Sequence, residues 1–177
     1  QYVEGTSFNK AIEIANLSGS TVDLSTYALE LYSNGNPGPA TSTQALNGSL
    51  ADGDVIVLAN ASANAAILAV ADATSGTVNW NGDDAIVLRN NGTVVDAFGQ
   101  VGFDPGSAWG SGSFSTVNNT LCRNDDVRFG DTEATDVFDP SVEWNGLGVD
   151  VSDGLGEIGC EPTQPPVAKV QIHEVQG

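Results

Sequence analysis

The chain has 177 residues, of which 5 are Lys or Arg and 23 are Asp or Glu, so its formal net charge is −18. Apolar residues make up 40% of the sequence, and no apolar run approaches the length of a membrane span. The negative electrostatic field of such a chain repels phosphate backbones, which argues against tight nucleic-acid binding by the chain itself. The length is sufficient for one domain with a sizeable core.

Short apolar segments of β type alternate with turn residues along most of the chain. Asn90, Asn91 and Gly92 separate two of these segments and supply the positive φ angles that a tight hairpin requires. The pattern predicts an all-β protein, an antiparallel sandwich of two sheets. The predicted strands are residues 10–16, 27–33, 54–59, 84–89, 93–98 and 120–123, the last being the final strand.

Residues 61–71 break the β pattern, because they contain six Ala with Ile67 and Leu68 and have neither Gly nor Pro. Ser62 or Asn64 can cap such a segment at its N-terminus. We therefore predict one short helix near residues 63–71, crossing between the two sheets.

The composition of the chain changes after the last predicted strand. Residues 124–140 form an acidic loop, and residues 161–166 are rich in Pro and favour an extended linker. Residues 167–177 begin with an alternating pattern typical of a new strand. The predicted organisation is one domain over residues 1–160, a linker over 161–166, and the start of a following module or a tail over 167–177.

Several motifs distributed along the chain belong together. They are YVEG at residues 2–5 with NKAIEI at 9–14, DLSTYALELYSNG at 23–35, NGDDAIVL at 81–88 with DAFGQVG at 96–102, and FDPSVEW at 138–144 with DGLG at 153–156. Over residues 1–156 they resemble the lamin tail domain of secreted multidomain bacterial nucleases. The resemblance implies an immunoglobulin-like β-sandwich. Residues 172–177 resemble the start of the OB-like module that precedes the endonuclease/exonuclease/phosphatase domain in those proteins.

The resemblance implies a non-catalytic accessory module of a secreted, extracellular bacterial nuclease, whose partners are other domains of the same polypeptide and the cell surface or matrix. The chain has no Met and opens at Gln1, so we expect a processed or trimmed piece whose first β-strand begins before residue 1. It stops before any nuclease motif, so the resemblance does not imply that this chain has the hydrolytic activity of those nucleases. The alternative is a stand-alone extracellular adhesion or structural protein with an immunoglobulin-like fold.

An enzyme in its own right is disfavoured. The single His, His173, lies beyond the linker, so the domain has no His to activate Ser or Cys. Asp83 and Asp84 are compatible with acid–base or metal chemistry, but the pattern favours a turn that precedes a strand. Trp109 lies in a Gly-rich loop, where it either contacts a ligand or packs against the domain.

Cys122 and Cys160 are the two cysteines of the chain. An even count in an acidic chain without Met favours a disulfide formed in an oxidising compartment, with two free buried thiols as the alternative. The bond would close a loop of about 38 residues, which the chain-entropy model values at about 4 kcal/mol. A zinc site is disfavoured because further ligands at zinc spacing are missing.

The sequence leaves open whether the chain binds Ca²⁺ or Mg²⁺. Asp131, Glu133, Asp136 and Asp139 place hard oxygen ligands in one loop, which suits these cations. Their spacing does not match an EF-hand. Asp139 followed by Pro140 equally predicts the cap of a short helical turn.

Overall fold

The computed structural model describes residues 1–159 of the chain. Within them the chain forms strands joined by turns, with two short α-helices and two 3₁₀ turns. The helices are α1 (Ala65–Val70) and α2 (Pro140–Glu143). The strands are β1 (Tyr2–Glu4), β2 (Lys10–Ala15), β3 (Val22–Asp23), β4 (Tyr27–Tyr32), β5 (Ser42–Ala45), β6 (Ser49–Leu50), β7 (Val55–Ala59), β8 (Ala73–Thr74), β9 (Ala85–Asn90), β10 (Thr93–Phe98), β11 (Asn119–Arg123) and β12 (Trp144–Gly148).

The strands form two main sheets and a small ribbon. The larger sheet has the order β12-β11-β1-β2-β7-β8, and the second has the order β10-β9-β4-β5. The ribbon consists of β3 and β6. All pairings are antiparallel except that of β7 with β8. The predicted all-β, immunoglobulin-like sandwich is confirmed.

The core follows from the alternation of side chains along each strand. In β1, Tyr2 packs between the sheets, whereas Val3 lies on the opposite face beneath α1. In β9, Ile86 faces the core and Val87 the opposite face. The main core contains Tyr2, Ile12, Leu24, Leu29, Leu31, Leu46, Leu50, Leu58, Val78, Trp80, Ile86, Phe98, Leu121 and Trp144. Trp80 and Trp144 are thus both buried in this core.

The hairpin between β9 and β10 forms as the sequence predicts. Asn91 and Gly92 adopt φ angles of 48° and 80°, the left-handed conformations that its tight turn requires. Farther along the strand the pairing shifts between Val94 and Asp96, which marks a β-bulge in β10. The bulge lies at the end of the sandwich where the acidic loop packs.

Two sequence predictions about the topology are wrong in part. The helix is shorter than predicted, and it connects β7 to β8 within one sheet instead of crossing between the two sheets. Its cap is as predicted, because the Asn64 side chain accepts a hydrogen bond from the backbone N–H of Ile67. The strand at β11 is not the final one, since β12 pairs with it farther along the chain.

No helix within residues 1–159 is long and apolar enough to cross a membrane. The predicted linker, the following module and Cys160 lie outside the described residues.

Candidate functional site

An open groove runs along the segment that follows β11. It has a volume of about 310 Å³, and its floor includes Ala97, Phe138 and Trp144. We call it the acidic groove, because four carboxylates lie along it. The charged and apolar side chains that line it above the floor are Arg123, Phe129, Asp131, Asp136, Val137, Asp139, Val142 and Glu143.

Phe138 fixes the position of the segment. Its ring lies 4.8 Å from that of Phe98 and 5.7 Å from that of Trp109, so the segment is attached to the core at this point. Directly after it, Asp139 caps α2 by accepting a hydrogen bond from the backbone N–H of Ser141. Because Phe138 points inward, Val137 is left on the outside.

A second attachment holds the start of the groove. The backbone N–H of Asp131 donates to Asp96 Oδ1 over 2.9 Å, which ties the loop to β10. Gly130 makes this approach possible, since a Cβ at that position would lie 2.1 Å from the carbonyl oxygen of Val95. Phe129 precedes this contact and projects away from the sheet.

Three apolar side chains around the groove are exposed to solvent. The exposed fractions are 87% for Phe129, 84% for Val137 and 71% for Val142. They are the three most exposed large apolar residues in the described part of the chain. Apolar residues gathered around a concave surface and surrounded by charge are typical of an interaction site.

Arg123 forms the inner wall of the groove and joins the two sheets. Its Nη1 lies 2.7 Å from Asp96 Oδ2 on β10, and its Nη2 lies 2.8 Å from Glu143 Oε2 at the end of α2. The guanidinium also lies over the ring of Trp144, 5.2 Å from its centroid. Arg123 is thus engaged by groups of its own chain, and Asp131, Asp136 and Asp139 face solvent without a salt bridge among residues 1–159.

The charge of the groove persists at neutral pH. Hydrogen bonds from the side chain and backbone of Ser141 lower the pKa of Asp139, so this carboxylate is ionised over a wider pH range than an ordinary Asp. The groove therefore presents apolar surface in a negative field.

The four predicted metal ligands lie on this loop but do not converge. Asp131 Oδ1 accepts a hydrogen bond from the backbone N–H of Glu133, and Asp139 caps α2. Over residues 1–159 the structure forms no group of three acidic, Cys or His side chains suited to a metal ion. A Ca²⁺ or Mg²⁺ ion at Asp131, Glu133, Asp136 and Asp139 stays a prediction, and the observed role of Asp139 is that of a helix cap.

Cys122 lies buried on β11, adjacent to Arg123. Cys160 follows the last described residue, so the pairing of Cys122 with Cys160 also stays a prediction.

Asp83 and Asp84 are buried in the turn before β9. Asp84 Oδ1 accepts a hydrogen bond from the backbone N–H of Asn34 over 2.9 Å. With its amide nitrogen facing the two carboxylates, Asn81 donates to Asp84 Oδ2 over 3.0 Å and to Asp83 Oδ1 over 2.5 Å. Burial raises the pKa of both acids. These contacts support the interpretation of the pair as part of a turn.

Trp109 is buried, and its ring packs edge-on against Phe138. Packing is therefore its role in this structure, and it supports the floor of the acidic groove from below.

Sequence reasoning located the acids of the groove but missed its apolar side chains. Phe129, Val137 and Val142 lie in a segment without regular periodicity, so no pattern separates them from Phe138, which is in the core. The one available signal was the density of apolar residues in a loop that is otherwise acidic.

Comparison with known proteins identifies the family of the domain. A family model described as Lamin Tail Domain matches residues 1–102, a range that contains β1 to β10. No curated protein and no solved structure matches the chain. The acidic groove lies almost entirely beyond the matched range. Lamin tail domains are immunoglobulin-like and generally serve as non-catalytic accessory or structural domains. The chain belongs to the lamin tail domain family.

Proposed function

We propose that this chain is a non-catalytic accessory module of a secreted bacterial nuclease, and that it holds a protein partner in its acidic groove. The observation that carries the docking function is the exposure of Phe129, Val137 and Val142 around one concave surface. The nuclease context is supported by the motifs at residues 2–35, 81–102 and 138–156, which resemble those of lamin tail domains in such enzymes.

The chemistry of the groove defines the partner. Apolar side chains on the partner would cover Phe129, Val137 and Val142, while Lys or Arg residues at its rim would neutralise Asp131 and Asp136. We place this basic, apolar surface on another domain of the same polypeptide. Tethering makes even a weak contact effective, because the local concentration of a linked domain is high.

The cations of residues 1–159 are arranged in a way that disfavours direct contact with DNA. Lys10 pairs with Glu4, Arg89 pairs with Glu30, and Arg123 pairs with two acids. Arg128 is exposed, but one side chain cannot neutralise a run of phosphates. The proposed contribution to a nuclease is therefore positioning of its domains.

The test uses the natural polypeptide that contains this chain. A double substitution, Val137→Asp with Val142→Asp, adds charge to the acidic groove at two exposed positions. Val149→Asp is the matched control, because Val149 is also an exposed apolar residue but does not line the groove. The measurements are limited proteolysis between the domains and nuclease activity.

We expect the double variant to be cleaved several-fold faster between its domains and to lose activity, with the control unchanged. Equal behaviour of both variants would contradict docking through the groove. A polypeptide with no nuclease motif beyond Gly177 would contradict the nuclease context and favour the stand-alone adhesion or structural protein.

A further inference from the structure

Five Asn-Gly pairs in the chain carry a chemistry of their own. In such a pair the backbone nitrogen of Gly can attack the side-chain Cγ of the preceding Asn, because Gly has no side chain that hinders the approach. The pairs are Asn34-Gly35, Asn47-Gly48, Asn81-Gly82, Asn91-Gly92 and Asn145-Gly146. The nitrogen and Cγ must come together for the reaction, so the folded structure decides which pair reacts.

Two of the pairs are protected by their backbone conformation. Asn34 and Asn91 have φ angles of 51° and 48°, in the left-handed region. In that conformation the next backbone nitrogen points away from the side chain of the same residue, so it is far from the carbon that it would attack. The turn at Asn91 is also held on both sides, because its N–H donates to the carbonyl of Thr26 over 2.8 Å and the carbonyl of Gly92 accepts from Arg89 over 2.9 Å.

Two further pairs are protected by packing around their Gly residues. A Cβ on Gly82 would lie 2.7 Å from the Cβ of Val117, and a Cβ on Gly146 would collide with the carbonyl oxygen of Ser113. Asn145 is also part of β12 and is paired with β11. In both pairs the peptide cannot rotate toward the Asn side chain without moving a neighbouring segment of the chain.

The remaining pair, Asn47-Gly48, has neither form of protection. Both residues are exposed in the link between β5 and β6, and Asn47 is outside the left-handed region. Its side-chain amide and the N–H of Gly48 make no hydrogen bond to residues 1–159, and a Cβ on Gly48 would have no atom within 4 Å. Two hydrogen bonds hold the ends of the link: the N–H of Leu46 donates to Tyr27, and the carbonyl of Gly48 accepts from Leu24, each over 2.9 Å. The peptide between Asn47 and Gly48 is therefore free to rotate.

We propose that Asn47 is a site of spontaneous covalent modification in the folded protein, at which the backbone nitrogen of Gly48 attacks Cγ of Asn47. A new C–N bond closes a cyclic succinimide, and the bond from Cγ to the side-chain nitrogen breaks. That nitrogen leaves as ammonia and carries away the proton of the attacking N–H. Water then opens the ring at either of its carbonyl groups, which leaves aspartate or isoaspartate at position 47. Nothing is oxidised or reduced, and water is the co-reactant.

The modification changes the link between β5 and β6. Both products add a negative charge, and isoaspartate also places its Cβ in the main chain, so the link becomes longer. The link lies between Leu46 and Leu50, which are buried in the main core with exposed fractions of 5% and 7%. We expect isoaspartate to destabilise the domain, because the added atom moves these two leucines relative to each other.

The test follows all five Asn-Gly pairs of the 177-residue chain during incubation at pH 8 and 37 °C, both folded and in urea. Peptide mass spectrometry detects the replacement of the amide NH₂ by OH, and electron-transfer fragmentation distinguishes isoaspartate from aspartate. Asn47→Ser is the matched variant, because Ser lacks the amide that is attacked and position 47 is exposed. The melting temperature is measured before and after the incubation.

In the folded chain we expect Asn47 to react about tenfold faster or more than each of the other four, because those require local opening first. In urea all five should react at similar rates. Incubation should lower the melting temperature of the parent by about 2 °C or more and leave that of Asn47→Ser unchanged.

Two results would overturn the proposal. One is a second pair that reacts as fast as Asn47 in the folded chain, and the other is protection of Asn47 equal to that of the other four. An unchanged melting temperature after full conversion to isoaspartate would contradict the expected effect on the link. None of these outcomes depends on the acidic groove, so this inference and the proposed function fail separately.

Discussion

Lys10 and Glu4 form a buried ion pair between β1 and β2, with 2.5 Å between Nζ and Oε1. The two residues lie directly opposite each other in the register of the strands. The second carboxylate oxygen of Glu4 accepts a hydrogen bond from the backbone N–H of Asn118, which ties the segment before β11 to β1. One pair thus joins the first hairpin to a part of the chain more than 100 residues away.

Substitution of Glu4 by Gln should destabilise the domain strongly. Lys10 would remain buried without a countercharge, and breaking a buried pair in this way costs about 3–5 kcal/mol. The free energy of unfolding from urea titration measures the loss. Asp126→Asn is the control, because Asp126 is exposed and makes no salt bridge among residues 1–159.

The double variant Glu4→Leu with Lys10→Met distinguishes charge from packing. Replacing both partners removes the unpaired charge, so it should recover most of the stability lost by Glu4→Gln. A double variant as unstable as the single one would show that the pair is needed for its hydrogen bonds and shape.

Asp84 should make the stability of the domain depend on pH. Burial raises its pKa in the folded state, so the folded protein holds this proton at pH values where the unfolded chain has released it. Its contribution to stability therefore falls as pH rises from the ordinary Asp value of about 3.9 through the raised value. Asp84→Asn removes this contribution.

Urea titrations from pH 3.5 to pH 8 on the parent protein and on Asp84→Asn measure this pH dependence of stability. We expect Asp84→Asn to become more stable relative to the parent as pH rises, which means that its free energy of unfolding increases relative to that of the parent. A difference that is constant with pH would contradict the raised pKa.

The disulfide prediction concerns Cys122 and Cys160. Intact mass before and after reduction in denaturant should differ by two hydrogens in the purified protein. Reduction should also lower the melting temperature, because the bond would constrain a loop of about 38 residues in the unfolded chain. An unchanged mass would show two free thiols.

The isolated chain should neither cut DNA nor bind it tightly. Gel-shift and plasmid-nicking assays in Ca²⁺, in Mg²⁺ and in chelator test both statements at physiological salt. The reason is the net charge of −18 together with the internal pairing of Lys10, Arg89 and Arg123. Micromolar binding, or nicking that survives removal of contaminating nuclease, would contradict it and would direct attention to Asp83 and Asp84.

Local patterns were sufficient for the elements whose signals lie within a few residues. Alternation predicts the strands near residues 10–16 and 84–89, Asn91 with Gly92 predicts a tight turn, and Asn64 predicts a helix cap. In each case the physical cause is local, either the two-residue period of a strand or a backbone conformation that few residues adopt. The family motifs added the immunoglobulin-like arrangement of these elements.

Other features were decided by contacts between distant segments. β12 has weak strand propensity because two of its five residues are Gly, yet it forms beside β11. Gly146 is required there, since a Cβ would lie 1.5 Å from the carbonyl oxygen of Ser113. Phe138 is packed against Phe98, whereas its neighbour Val137 is exposed, and no local pattern distinguishes them. The sequence alone therefore determined the sandwich, its charge and its main turns. Only the tertiary structure decided the acidic groove, because it depends on which surfaces the packing of remote segments leaves uncovered.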